Sequence, residues 1–124
     1  MSNWQIGALS KLEKFASSSA GEFTGANPFP HSVLDNFFDN EVLNELIDEF
    51  PDTTDPIWEA STQEGIQVKL RSNWQSEADI KPVTKSVVHF FNSGAVMKQL
   101  SRLTGIEKLI SDPYYTGGGL NCTK

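Results

Sequence analysis

The residues of this chain that could do chemistry are few and scattered. There are two histidines, His31 and His89, and one cysteine, Cys122. A metal site needs several imidazole, thiolate or carboxylate donors that converge. His31 lies four residues before Asp35, and on a strand the two would point to the same side. That spacing is still too long for the two to act as a closely spaced chelating pair. His89 falls on the helix face opposite Ile80, Val87 and Phe91, where a solvated surface residue is expected. No third donor accompanies either histidine, so the residues themselves assign no metal ligand and no catalytic group. His31 reads as structural.

The other reactive types have ordinary readings. Glu107 and Asp112 are five apart in a region without helical patterning, and nothing pairs them for acid–base work. Asp112 before Pro113 reads as turn chemistry, its carboxylate satisfying nearby amides. Gly117, Gly118 and Gly119 carry no Lys-Ser or Gly-x-x-Gly continuation and open no helix, so they are not a phosphate loop. They read as a bend leading into a strand. Cys122 has no histidine near it in sequence and reads as a small strand residue, not a nucleophile. Trp58, Trp74, Phe90 and Phe91 read as core. Of Phe37 and Phe38, one is expected to be buried and the other covered by the following helix.

These residues must be positioned by elements that the periodicity suggests. A first helix is expected over 4–16, with Trp4, Ala8, Leu12 and Phe15 on one side and Leu9 nearby. The serine, alanine and glycine run from Ser17 to Asn27 has linker composition and makes that helix an appendage. Pro28 and Pro30 fit the approach to an edge strand at Val33 and Leu34. Asp39 is a good N-cap for a helix ending near Phe50, where Pro51 stops it. Leu43, Leu46, Ile47 and Phe50 form its apolar stripe and are expected to be buried. Residues 57–74 are strand-like, with Ile66, Val68 and Leu70 alternating with Gln67, Lys69 and Arg71. A helix over 79–92 would bury Ile80, Val83, Val87, Val88 and Phe91. Ser93 can cap a further helix with Val96, Met97, Leu100 and Leu103 inside, ended by Gly105 in the left-handed conformation.

Composition bounds the rest. The chain has 124 residues, 38% hydrophobic and 21% charged, with net charge −6. That is the composition of a globular domain. Its acidity gives nucleic-acid binding no electrostatic support. One thiol cannot form an internal disulfide. No signal peptide and no membrane-spanning run is visible, so no membrane partner is expected and the cytoplasm is the default compartment.

Two segments in order carry a resemblance. One is the run NPFPHSVLDNFF at 27–38, followed by a helix ending in DEFP at 48–51. The other is LTGIEKLISDPYYTGGGL at 103–120, with Trp74-Gln75 and FFNSGAVMKQL at 90–100 between them. Together they resemble 2-oxoglutarate- and Fe(II)-dependent dioxygenases of the prolyl 4-hydroxylase-like class. The resemblance implies an α+β fold: a helical support layer, plus the first strands of a jelly-roll-like double-stranded β-helix. It implies division into a helix and linker over 1–26 and an N-terminal part of a dioxygenase-like domain over 27–124. It implies Fe(II) and 2-oxoglutarate for the complete family member. The first iron ligands of the family are a His-x-Asp pair shortly after the glycine-rich segment, and this sequence reaches Lys124 without one. The chain is therefore expected to be non-catalytic by itself and to bind neither cofactor. Asn121 and Thr123 become the pocket-wall candidates for cosubstrate binding. An unfinished sheet edge at 120–124 would favour self-association, or fraying from about Tyr115 onward. The alternative is a non-catalytic α+β binding or scaffolding module.

Overall fold

The structure is a computed structural model that describes residues 1–63, 67–116 and 118–123. Four helices and a small antiparallel sheet make an α+β fold, in the order α1 (Asn3–Gly25), α2 (Asn40–Glu49), β1 (Trp58–Gln63), β2 (Gln67–Ser72), α3 (Pro82–Phe91), α4 (Gly94–Thr104) and β3 (Asn121–Thr123). The sheet order is β1-β2-β3, with Trp58 opposite Ser72, Ala60 opposite Leu70, and Leu70 opposite Cys122.

Helix α1 runs well past residue 16. The expected linker is helical to Gly25 because its hydroxyls bond back to their own helix instead of breaking it. Ser17 Oγ donates to the Glu13 carbonyl, Ser18 Oγ to Phe15, and Thr24 Oγ1 to Gly21. Ala8, Leu12 and Ala16 are buried on one face, and α1 packs chiefly against α4. Arg102 of α4 ties the pair, donating to Gln99 Oε1 at 2.6 Å and to Ser17 Oγ at 2.7 Å. The main core is therefore Ala8, Leu12, Phe90 and Val96, with Trp4, Leu34, Phe37 and Leu100 packed around it. Helix α1 is integral to that core and is no appendage to it.

Aromatic rings close this core from above. Phe90 is 1% exposed, and Trp4 and Phe37 lie 5.4 and 6.1 Å from it between ring centroids. Phe37 and Phe38 are both half-buried and touch edge-on at 5.0 Å. The expectation that Phe91 is interior is corrected: Phe90 is interior and Phe91 is 39% exposed. The helix begins later than expected, at Pro82 after a short 3₁₀ turn over Glu77–Asp79, and Phe90 is the ring it turns toward α1. Trp58 and Trp74 are half-buried at the sheet end, outside this cluster.

No strand forms at Val33 and Leu34. Val33 is 70% exposed, and Asn36 turns the chain with φ 56° in the left-handed region that Asn tolerates. The strand-like 57–74 stretch forms two antiparallel strands, β1 and β2. Leu70 is buried and Val68 half-buried as the alternation requires, while Ile66 lies outside the described residues.

Helix α4 follows the pattern closely. Ser93 Oγ accepts from the Val96 amide, Val96 and Leu103 are buried, and Gly105 ends the helix at φ 75°. Helix α2 has the expected limits, but Asp39 makes no side-chain cap, and its carboxylate instead lies 4.0 Å from Lys11 Nζ. The burial of α2 also differs. Val42 is 4% exposed, whereas Leu43, Ile47 and Phe50 are 40, 69 and 42% exposed and Leu46 is half-buried. The face that α2 turns toward α3 is the one carrying Val42 and Glu49.

Candidate functional site

The helix that organises this region, α3, begins without a cap of its own. Its N-cap is Lys81, which has no acceptor to offer, and its first residue is Pro82, which has no N–H. Two amides are left without partners in the helix, those of Val83 and Thr84. Glu49 reaches across from the end of α2 to take both. Val83 N–H donates to Oε2, and Thr84 N–H and Thr84 Oγ1 donate to Oε1, each at 2.8 Å. Burial raises the Glu49 pKa, but the bonds from Thr84 and Val83 and the nearby Lys81 outweigh it and hold the carboxyl below its ordinary range.

Between α2, α3 and the glycine-rich segment lies a cavity of about 260 Å³. Leu46 and Phe50 of α2, Val87 and Val88 of α3, and Trp74 and Leu120 supply its apolar wall. Leu46 and Phe50 also belong to the open groove along the α2 stripe, so cavity and groove share a wall.

The segment bordering the cavity is pinned at several points. Asp112 takes the amides of Tyr114 at 2.9 Å and of Thr116 at 2.6 Å, which is the turn chemistry expected of it. Tyr115, with φ 54°, donates its hydroxyl to Glu77 Oε1 at 2.8 Å. His89 Nε2 meets the same oxygen at 2.7 Å. The Tyr115 hydroxyl and then His89 lower the Glu77 pKa, while burial and the bond to Glu77 raise that of Tyr115. The shifts favour an ionised Glu77 and a neutral Tyr115, an arrangement that holds a loop and does not poise either group to exchange a proton near neutrality.

Gly119 then passes close to β2. A Cβ there would stand 3.0 Å from Ser72 Oγ, which itself accepts the Leu120 amide at 2.9 Å. This close approach delivers β3 to the sheet edge, as a bend into a strand should. Cys122 is half-buried opposite Leu70. Asn121 and Thr123 are exposed on the other face, opposite Arg71 and Lys69. Neither lines the 260 Å³ cavity.

The histidines are not brought together with acids into a donor set. His31 is exposed with Nδ1 2.8 Å from the Phe29 carbonyl, and His89 is committed to Glu77. Among the described residues no three His, Cys, Asp or Glu side chains gather in a metal-binding group. The described residues therefore do not fit an iron site.

Sequence reasoning missed Glu49, Glu77 and Tyr115. A signal existed for Glu49, because a helix opening on Lys-Pro has orphan amides and no local acceptor. Glu77 and Tyr115 are 38 positions apart and carry no spacing signal at all.

Fold and site together define an α+β protein of four helices and a three-stranded antiparallel sheet whose edge strand follows a glycine turn. In comparisons with known proteins, no family model, no curated protein and no solved structure matches the chain. No helix among the described residues is long and apolar enough to cross a membrane.

Proposed function

We propose that this chain forms the helical support layer and first sheet strands of a 2-oxoglutarate- and Fe(II)-dependent dioxygenase domain, one that hydroxylates a prolyl, other amino-acid or small-molecule substrate. The observation that carries the reading is the placement of β3. The segment with the family-like Asp-Pro and glycine signature feeds an antiparallel strand onto the edge of β2, which is what the first strands of a double-stranded β-helix would need. The described residues hold no iron ligand set, so the chain's own part is architectural: Glu49 fixes α3, Tyr115 fixes the glycine-rich segment, and Ser72 receives it. Reading the coding sequence beyond codon 124 tests this. A His-x-Asp pair soon after the glycine segment supports it, and a stop codon at that point overturns it.

A second reading, a non-catalytic binding module, is favoured by the open apolar stripe of α2. On that reading the coding sequence would end without a His-x-Asp pair, and the purified chain would be a stable monomer whose β3 amides resist exchange.

A further inference from the structure

An amphipathic helix normally turns its apolar stripe inward. Helix α2 does the reverse. Val42 and Glu49 face α3, and Leu43, Ile47 and Phe50 stand open to solvent. The stripe lines a groove continued by Pro51 and Thr54, and it shares Leu46 and Phe50 with the cavity beneath. The stripe residues recur at positions 43, 46, 47 and 50, with Leu46 half-buried and the others exposed, the spacing at which one helix receives another.

Charge selects the occupant. There is no lysine or arginine between Lys14 and Lys69, while seven carboxylates lie from Asp39 to Asp55. Asp39 is near Lys11 and Glu49 is spent on α3. Glu41, Glu45, Asp48 and Asp52 are exposed, and none has an ion-pair partner among the described residues. They lie on the same helix or at its end, within about one Debye length of the stripe, roughly 8–10 Å. A second copy docked stripe to stripe would bring these four acids against their own counterparts, which a two-fold interface repeats on both sides. An anionic membrane surface would be repelled for the same reason.

We infer that the α2 stripe is a docking groove for a basic amphipathic helix of another protein. Apolar side chains at i, i+3, i+4 and i+7 of the partner seat on Leu43, Ile47 and Phe50, and its flanking lysines or arginines face Glu41, Glu45, Asp48 and Asp52. Under the dioxygenase reading a later segment of the same chain is a rival occupant, and loss of peptide binding in a chain extended beyond residue 124 overturns the inference.

The protein carries its own reporter. Trp58 lies 5.6 Å from Phe50 between ring centroids, so its emission responds to occupancy of the groove. The probe is a synthetic Leu/Lys peptide patterned as an amphipathic helix, titrated into the full chain. Its controls are a scrambled peptide of equal composition and a Leu/Glu peptide of equal pattern. Saturable binding of the Leu/Lys helix is expected, at least tenfold weaker for the scrambled peptide and absent for Leu/Glu. Ile47→Asp should weaken it at least tenfold. Because Ile47 is 69% exposed, that variant should keep the wild-type circular dichroism spectrum; Ile47→Ser serves in its place if it does not. Equal binding of the scrambled peptide, or indifference to both Ile47 variants, overturns the inference. A concentration-dependent dimer of the chain that Ile47→Asp dissolves would assign the groove to a second copy and overturn it as well.

Discussion

The capping of α3 by Glu49 can be tested by one substitution. Glu49→Gln preserves length and one acceptor oxygen. It replaces the other oxygen with an NH₂ that must face an N–H donor, and it removes the charge. If Gln keeps its oxygen on Thr84, the Val83 amide loses its acceptor, and the two bonds that remain lose their ionic character. Removing a helix cap costs about 0.5–2 kcal/mol, and bonds to a charged group lie toward the upper part of that range. Glu49 is only half-buried, so water can reach part of the site. We therefore expect a loss of about 1–2 kcal/mol, a fall in the thermal midpoint of roughly 4–8 °C for a chain of this size. Equilibrium urea unfolding measures it, with the slope unchanged and the midpoint lowered. The pH dependence gives a second test. The folded-state pKa of Glu49 lies below its unfolded value. Its stabilisation is thus complete above the unfolded pKa, about 4.3, and is lost as pH falls through the folded value. The gap between wild type and Glu49→Gln should be full at pH 7 and shrink on acidification below about pH 4. An unchanged midpoint at pH 7, or a gap that widens in acid, would refute the assignment of Glu49 as the cap.

Three further outcomes are expected. Phe90→Ala, in the buried aromatic core, should cost about 3–5 kcal/mol or abolish the cooperative transition, as read by the same urea titration. Ile47→Ala should change stability by less than about 0.5 kcal/mol although Ile47 belongs to the apolar stripe, whereas Val42→Ala on the same helix should cost more than about 1 kcal/mol; equal costs would place the buried face elsewhere. The purified chain, incubated anaerobically with Fe(II) and then given 2-oxoglutarate and oxygen, should bind no stoichiometric iron and release no succinate above background. Either signal would mean that donors outside the described cluster geometry are competent.

The sequence was most legible where one physical rule acted alone. Ser93 and Gly105 bracket α4 because a capping hydroxyl and a left-handed glycine are local requirements, and Asp112 before Pro113 makes its turn for the same reason. It was least legible where two rules competed. Serines 17–19 belong equally to linkers and to helices whose hydroxyls bond backward, and only packing against α4 settles the choice. The α2 stripe has a clear helical period, yet periodicity says which residues share a face and not what that face meets. In α2, Val42 goes inward with Glu49, because α3 needs that carboxylate at its first turn. The pattern put Phe91 on the buried stripe, yet Phe90 is the ring that reaches Trp4 of α1, since periodicity does not say which neighbour a face meets. At the site, the turn residues and the glycine bend could be read, whereas the joint hold of Tyr115 and His89 on Glu77 depends on chain reversals that no spacing encodes.

The pairing of α1 with α4 makes the core late. Arg102 meets Ser17 across 85 positions, and Gln5 of α1 donates to the Ser86 carbonyl across 81. At a synthesis rate of about 5–20 residues per second, α1 leaves the ribosome several seconds before its partner exists. Through that interval Ala8, Leu12 and Ala16 have no core to join. The closure entropy of so long a loop rises only logarithmically, so the final state loses little by it. The rate is what suffers, because a high contact order slows the search. During synthesis, then, the nascent α1 is the segment that a chaperone recognising short apolar helical faces would hold, and its release would be set by the arrival of α4.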